Sequence, residues 1–146
     1  MIELQVSTKE DLKLFSDWEN LDGIREFICP YSIEHHELEF EKNDVIYLTI
    51  NFNSKPVGFV LLKLEADNKS VEFRRIVVVD RGKGIGQQVL VEIEKYCRQI
   101  LKRNRIWLDV FKINKRGIHI YEKQGYNNIG KTEIDGNTAF IYEKVM

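Results

Sequence analysis

The stretch Arg81-Gly82-Lys83-Gly84-Ile85-Gly86 constrains this chain more than any other part of it. It follows an apolar run, Arg75-Ile76-Val77-Val78-Val79. A long amphipathic pattern comes next, with Val89, Leu90, Ile93, Cys97 and Leu101 at helical spacing. That order predicts strand, tight turn and helix, and a further strand over Arg105–Phe111 then asks for a parallel pair. A turn of this kind aims bare backbone N–H groups at one point, at the positive end of a helix dipole. Glycine supplies the tight φ/ψ and lets a ligand approach where a Cβ would block it. Arg81 and Lys83 add positive charge at the same place, so the expected guest is a phosphate.

Three phosphate loops compete. A nucleotide-triphosphate loop ends in Gly-Lys-Ser or Gly-Lys-Thr, but here Gly84 follows Lys83 and no hydroxyl is present to hold magnesium. A dinucleotide fingerprint needs G-x-G-x-x-G, and glycines 82, 84 and 86 give G-x-G-x-G. What fits is Arg-x-x-Gly-x-Gly over Arg81, Gly84 and Gly86. A glycine-rich connector without a ligand is the plain alternative. A second pattern follows at a distance suited to one helix and one strand. It comprises the strand-like Trp107-Leu108-Asp109-Val110-Phe111, then Asn114, then Ile118-His119-Ile120-Tyr121-Glu122-Lys123-Gln124-Gly125-Tyr126. Together the two ordered motifs resemble the GNAT family, the acetyl-coenzyme A-dependent N-acetyltransferases. The resemblance covers roughly residues 70–130.

Length and composition fit that class. A chain of 146 residues suits one domain, 1–146, with a sizeable core. A formal net charge of −1 gives no basic balance to argue for nucleic acid. The local cluster Arg98, Lys102, Arg103 and Arg105 reads as a solvated helix end. Cys29 and Cys97 form no disulfide framework or zinc pattern, and Cys97 reads as a small buried hydrophobe. No run approaches membrane-spanning length. The expectation is a cytoplasmic protein without a metal.

Periodicity and turn residues divide the chain further. Residues 2–6 alternate as a strand, and Ser7 and Thr8 are candidate caps for a helix over 9–20. Residues 21–31 are irregular, and Ser32 caps a second helix over 33–42. Strands follow over 45–52, 57–64 and 71–79, then a helix over 84–103. A strand over 105–111, a short helix over 115–124, and a final hairpin turning at Asp135-Gly136-Asn137 complete the chain. The fold expected is α/β, as the resemblance also implies. It is a mixed, mostly antiparallel twisted sheet of about seven strands, with one parallel splayed pair and about four flanking helices.

The resemblance implies acetyl transfer from acetyl-CoA to a primary amine by direct attack in a ternary complex. Residues 81–86 (Arg81, Gly82, Lys83, Gly84, Ile85, Gly86) would hold the pyrophosphate. The backbone of Ile76, Val77 and Val78 would pair with the pantetheine arm, in a register open by one residue, and the Asn114 side chain would bond a pantetheine amide. Asn114 equally reads as the cap of the short helix. Tyr121 is the candidate general acid for the leaving thiolate and also a contact to the cofactor, against the plainer role of an aromatic anchor. Glu72 is the candidate general base. Strand parity leaves its face open, and an ion pair with Arg74 is the competing role. His35-His36 reads as part of a polar helix surface that could border the acceptor pocket, and His119 as structural or exposed. Trp18, Phe27 and Tyr31 are candidate pocket walls, and Glu19, Asp22, Glu26 and Glu34 candidate attractants for a cationic amine. The acceptor is a small-molecule or peptide amine that the sequence does not name. A homodimer stays open. Two other readings are a silent acyl-CoA-binding or regulatory module on the same fold, and a nucleotide-phosphate binder.

Overall fold

The computed structural model describes residues 1–146. Seven strands form one sheet: β1 (Ile2–Val6), β2 (Val45–Phe52), β3 (Lys55–Leu64), β4 (Ser70–Val78), β5 (Arg105–Phe111), β6 (Asn127–Ile134) and β7 (Asn137–Val145). Their order is β1-β2-β3-β4-β5-β7-β6. The helices are α1 (Leu12–Glu19), α2 (Ile33–Phe40), α3 (Ile85–Gln99) and α4 (Lys115–Lys123), with a 3-10 turn over Lys9–Asp11 leading into α1. The expected architecture is therefore present, with helix ends trimmed by one to four residues. No helix is long and apolar enough to cross a membrane.

Turn chemistry explains the antiparallel pairs. Asn53 and Ser54 both take positive φ between β2 and β3, as Asp135 and Gly136 do between β6 and β7. Two consecutive residues of this kind match the right-handed twist of a hairpin. Only β4 and β5 are parallel, because α3 crosses between them. Their ladder is short: Ser70, Val71 and Glu72 pair with Arg105, Ile106 and Trp107, and the strands then part. Beyond Glu72, the edge of β4 that faces β5 has no ladder partner.

Apolar residues cover both faces of the sheet. The larger cluster lies under α3, where Ile85, Val89, Leu90, Ile93 and Cys97 meet Val71, Phe73, Ile106 and Leu108. The smaller one joins Leu12 and Phe15 of α1 to Tyr47, Phe59, Leu61 and Val77. Phe15 stacks on Phe59 with ring centres 4.3 Å apart. A β-bulge explains how β4 serves both. Leu61 pairs with Arg75 and Leu62 with Phe73, so Arg74 is an extra residue in the strand. Before the bulge, Val71 and Phe73 point to the α3 side. After it, Arg75 and Val77 point to the α1 side. Glu72 therefore faces away from α3.

Candidate active site

The glycine loop lies at one end of the candidate site. Gly82 and Gly84 have φ of +79° and +67°, a region that side chains with a Cβ enter only at a cost. Gly84 is the N-cap of α3, and its left-handed conformation turns the chain abruptly into the helix. Nothing lies within 4 Å of a Cβ built on Gly82 or Gly84, so the space above the loop is open. The first-turn N–H groups of α3 have no intrahelical partner by construction and point into that space. Lys83 pairs with Asp80 at 3.0 Å. The Arg81 guanidinium donates to the Gly23 carbonyl, so it ties the loop to residues 21–31.

A cavity extends from this loop along the splay. Ile76 and Val78 of β4, Ile85 and Gly86 of α3, and Asn114 and Tyr121 line it. Val77 points the other way, into the smaller core cluster. Asn114 caps α4, its side-chain oxygen accepting from the Gly117 N–H at 3.0 Å. A second cavity adjoins the first between the parted strands. Glu72, Arg74, Asp109 and Phe111 line it, with Tyr31 and Asp135. The two cavities share Phe27, Ile76, Asn114 and Tyr121. The Tyr121 hydroxyl has no hydrogen-bond partner in the chain, whereas its carbonyl accepts from the Gln124 and Tyr126 N–H groups. Burial, and then the charge of Asp109, push its phenol well above the ordinary tyrosine range.

The second cavity rests on a buried ionic network. Glu19, 0% exposed, bonds His36 Nε2 through Oε1 at 2.7 Å and accepts from Arg75 Nη1 through Oε2 at 2.7 Å. The Tyr31 backbone N–H donates to the same Oε1 at 3.1 Å. His36 Nδ1 meets the Tyr47 hydroxyl at 2.6 Å. Burial, and then Glu19, raise the Tyr47 pKa far above the usual range, so the phenol stays protonated. Arg75 also donates to the Cys29 carbonyl and lies 3.5 Å from the centre of the Tyr31 ring. Residues 29–31 are thereby fixed to β4. This overturns two expectations. His36 is wholly buried and not part of a polar surface, and Glu19 has no free charge to offer an amine.

The remaining candidates fall as follows. Arg74 donates to Glu72 at 2.8 Å, so the expected ion pair forms within one strand while Glu72 still lines the second cavity. Phe27 and Tyr31 wall that cavity, whereas Trp18 packs beside Phe15 in the smaller core. Asp22 and Glu26 are taken up by Arg25, at 2.7 and 3.5 Å. His119 lines the outer part of the first cavity. Cys29 lines the second, its thiol donating to Asp135 at 3.3 Å. Sequence reasoning missed Asp109, a carboxyl group with no hydrogen-bond partner facing the second cavity. The one signal for it is an acid within the apolar run 107–111.

An open glycine loop at a helix N-terminus, a strand edge without a ladder partner and a phenol at the meeting of two cavities lie side by side. The Acetyltransferase (GNAT) family pattern matches residues 12–126. The chain belongs to the GNAT acetyltransferase family. It is 27% identical over 140 residues to the acetyltransferase PseH of Campylobacter jejuni, covering 91% of this chain and 84% of that protein. It is 28% identical over 95 residues to a spermine/spermidine N(1)-acetyltransferase of Bacillus subtilis, covering 60% of this chain and 62% of the relative. Among solved structures, an aminoglycoside acetyltransferase in complex with coenzyme A superposes with a TM-score of 0.84 at 18% identity, covering 99% of this chain and 95% of the other. A Vibrio cholerae spermidine N-acetyltransferase with CoA and spermine also gives 0.84, at 22% identity and the same coverage. As a GNAT enzyme, the protein is an N-acetyltransferase with acetyl-CoA as its cosubstrate.

Proposed function

We propose that the protein acetylates a primary amine of a small cationic acceptor, by direct attack on acetyl-CoA in a ternary complex. The pyrophosphate rests on residues 81–86, and the pantetheine arm runs along the free edge of β4 at Ile76–Val78, past Asn114. The thioester then lies where the two cavities meet. The acceptor enters through the second cavity and presents its nitrogen to the thioester carbonyl. As the C–S bond breaks, the Tyr121 hydroxyl gives its proton to the thiolate. A phenol held protonated by burial is available as a donor throughout the working pH range. Glu72 and Asp109 offer carboxylates on the acceptor side.

The observation that carries this reading is that Tyr121, with its hydroxyl unpartnered, lines both cavities. A cationic acceptor is favoured by charge. Arg75 is neutralised by Glu19 and Arg74 by Glu72, which leaves Asp109 and Asp135 as the uncompensated groups lining the second cavity. The spermine/spermidine and aminoglycoside acetyltransferases among its relatives and structural neighbours act on amines of that kind. The test is to incubate the protein with acetyl-CoA and a panel containing spermine, spermidine, kanamycin, free amino acids and short peptides. Thiol release and product mass report the transfer. Acetylation of a polyamine or aminosugar is expected. Acetyl-CoA binding with no acetylated product across the panel would contradict this reading and support a silent binding module.

A further inference from the structure

The two carboxylates on the acceptor side are not equivalent, and the strand register shows why. Glu72 is paired with Trp107 in the last rung of the parallel ladder. Ile106, Leu108 and Val110 of β5 point into the core under α3, so Trp107, Asp109 and Phe111 face the opposite side. Glu72 faces that side as well, because the bulge at Arg74 comes after it. Asp109 is thus the first β5 residue on the shared face after the strands part. It stands on the far bank of the splay from Glu72, in the cavity that ends at Tyr121. Their partners differ. Arg74 neutralises Glu72 through a 2.8 Å bond, whereas Asp109 has no hydrogen bond and no ion pair.

We infer that Asp109, and not Glu72, is the carboxylate that takes the proton from the acceptor's ammonium group, while Glu72 with Arg74 sets the potential in which Asp109 does so. This rests on the acetyl-transfer reading above and deepens it. The balance is complete. The ammonium loses one proton to Asp109, which passes it to solvent. The nitrogen lone pair forms the C–N bond to the thioester carbonyl, and the C–S bond breaks. Tyr121 gives its proton to the thiolate sulfur and recovers the second nitrogen proton. The products are amide, CoA thiol and one released proton. A carboxylate with no partner has its oxygens free for the ammonium proton, whereas an oxygen of Glu72 is occupied by Arg74. Asp109 is exposed on β5 but stands inside the cavity, where partial loss of solvent, and then Glu72, push its carboxyl above the ordinary value against the opposing pull of Arg74 and Arg75. The other titratable groups in its cavity are Cys29 and Tyr31 from the 21–31 segment, Tyr121 from α4 and Asp135 from the β6–β7 turn.

Asp109→Asn and Glu72→Gln separate the two roles. With the best amine of the panel, Asp109→Asn is expected to lower kcat/KM by roughly 10²–10⁴-fold and to abolish the acidic break in its pH profile. Glu72→Gln removes a negative neighbour, so it should keep that break and move it to lower pH. Stability gives a readout without any acceptor. A carboxyl whose folded pKa is raised destabilises the fold once the pH exceeds its unfolded value. Asp109→Asn should therefore raise Tm at neutral pH, with the gain fading as the pH falls below about 4. Transfer that Asp109→Asn leaves intact and Glu72→Gln destroys would overturn the proposal alone. An Asp109 carboxyl carbon that titrates in the ordinary range by NMR would do the same. A wild-type protein that acetylates no amine would remove the acceptor reading and this proposal together.

Discussion

The two halves of the site are built by different means. The proposed cofactor half is mostly backbone: two glycines at positive φ, a helix N-terminus and a strand edge left free by the splay. Its parts lie within about a dozen consecutive residues, over 76–87. The proposed acceptor half is mostly side chain. Glu19, His36, Tyr47 and Arg75 come from α1, α2, β2 and β4 and meet in one buried network that fixes residues 29–31. Backbone sites read a ligand common to a whole family, because their geometry depends little on side-chain identity. A side-chain network can be exchanged without disturbing the loop, so acceptor choice can vary while the cofactor site stays constant.

That comparison can be broken where the halves touch. Tyr121→Phe keeps the ring against Tyr126, whose centre is 5.9 Å away, and removes only the hydroxyl. Turnover should fall by roughly 10²–10⁴-fold, with acetyl-CoA affinity and Tm nearly unchanged. If affinity falls and saturated turnover survives, the phenol belongs to the cofactor half as a binding group. Glu19→Ala probes the other half. It leaves Arg75 and His36 buried without their carboxylate, a change that costs on the order of 3–5 kcal/mol. Thermal or denaturant unfolding should show that loss, and acetyl-CoA should still bind to the fraction that folds. A Glu19→Ala protein of unchanged Tm would mean that the network does not hold the acceptor segment.

Smaller effects sharpen the boundary. Arg81→Ala removes the tie from the glycine loop to Gly23. A modest, salt-sensitive loss of acetyl-CoA affinity is expected by calorimetry, together with a raised KM for the amine, because residues 21–31 lose an anchor. A change in one constant without the other would place Arg81 wholly in one half. Asp67 lies far from both and serves as a control. Its carboxylate accepts from the Ser70 hydroxyl and from the Lys69 and Ser70 N–H groups, which lowers its pKa to about 2 from an ordinary 3.8. A depressed carboxyl contributes stability above its unfolded pKa and loses it as the pH falls through the folded one. Asp67→Asn should therefore lower Tm slightly at neutral pH, and the difference should vanish near pH 2. Activity should not change.

The element order and the glycine loop are legible in the sequence because their signals are local. The strand–loop–helix run, the turn residues and the Asn114 to Gly125 pattern each sit within one short segment. The face of Glu72 is not legible, since a bulge at Arg74 reverses the alternation that parity arguments rely on. The network is hidden for another reason. Glu19 finds His36 seventeen residues away and Arg75 fifty-six residues away. In helical periodicity a wholly buried acid or histidine looks the same as one on a solvated face. Asp109 shows a single weak sign, because its importance depends on where the strands part.

The most direct test of the account is calorimetry with acetyl-CoA on the wild type and on Gly84→Val in the same buffer. Valine at φ +67° must distort the N-cap of α3 and crowd the open space above the loop. The account predicts one cofactor site per wild-type chain and at least an order of magnitude weaker binding in a variant that remains folded. Equal affinity in the two proteins, or no binding by the wild type, would contradict it.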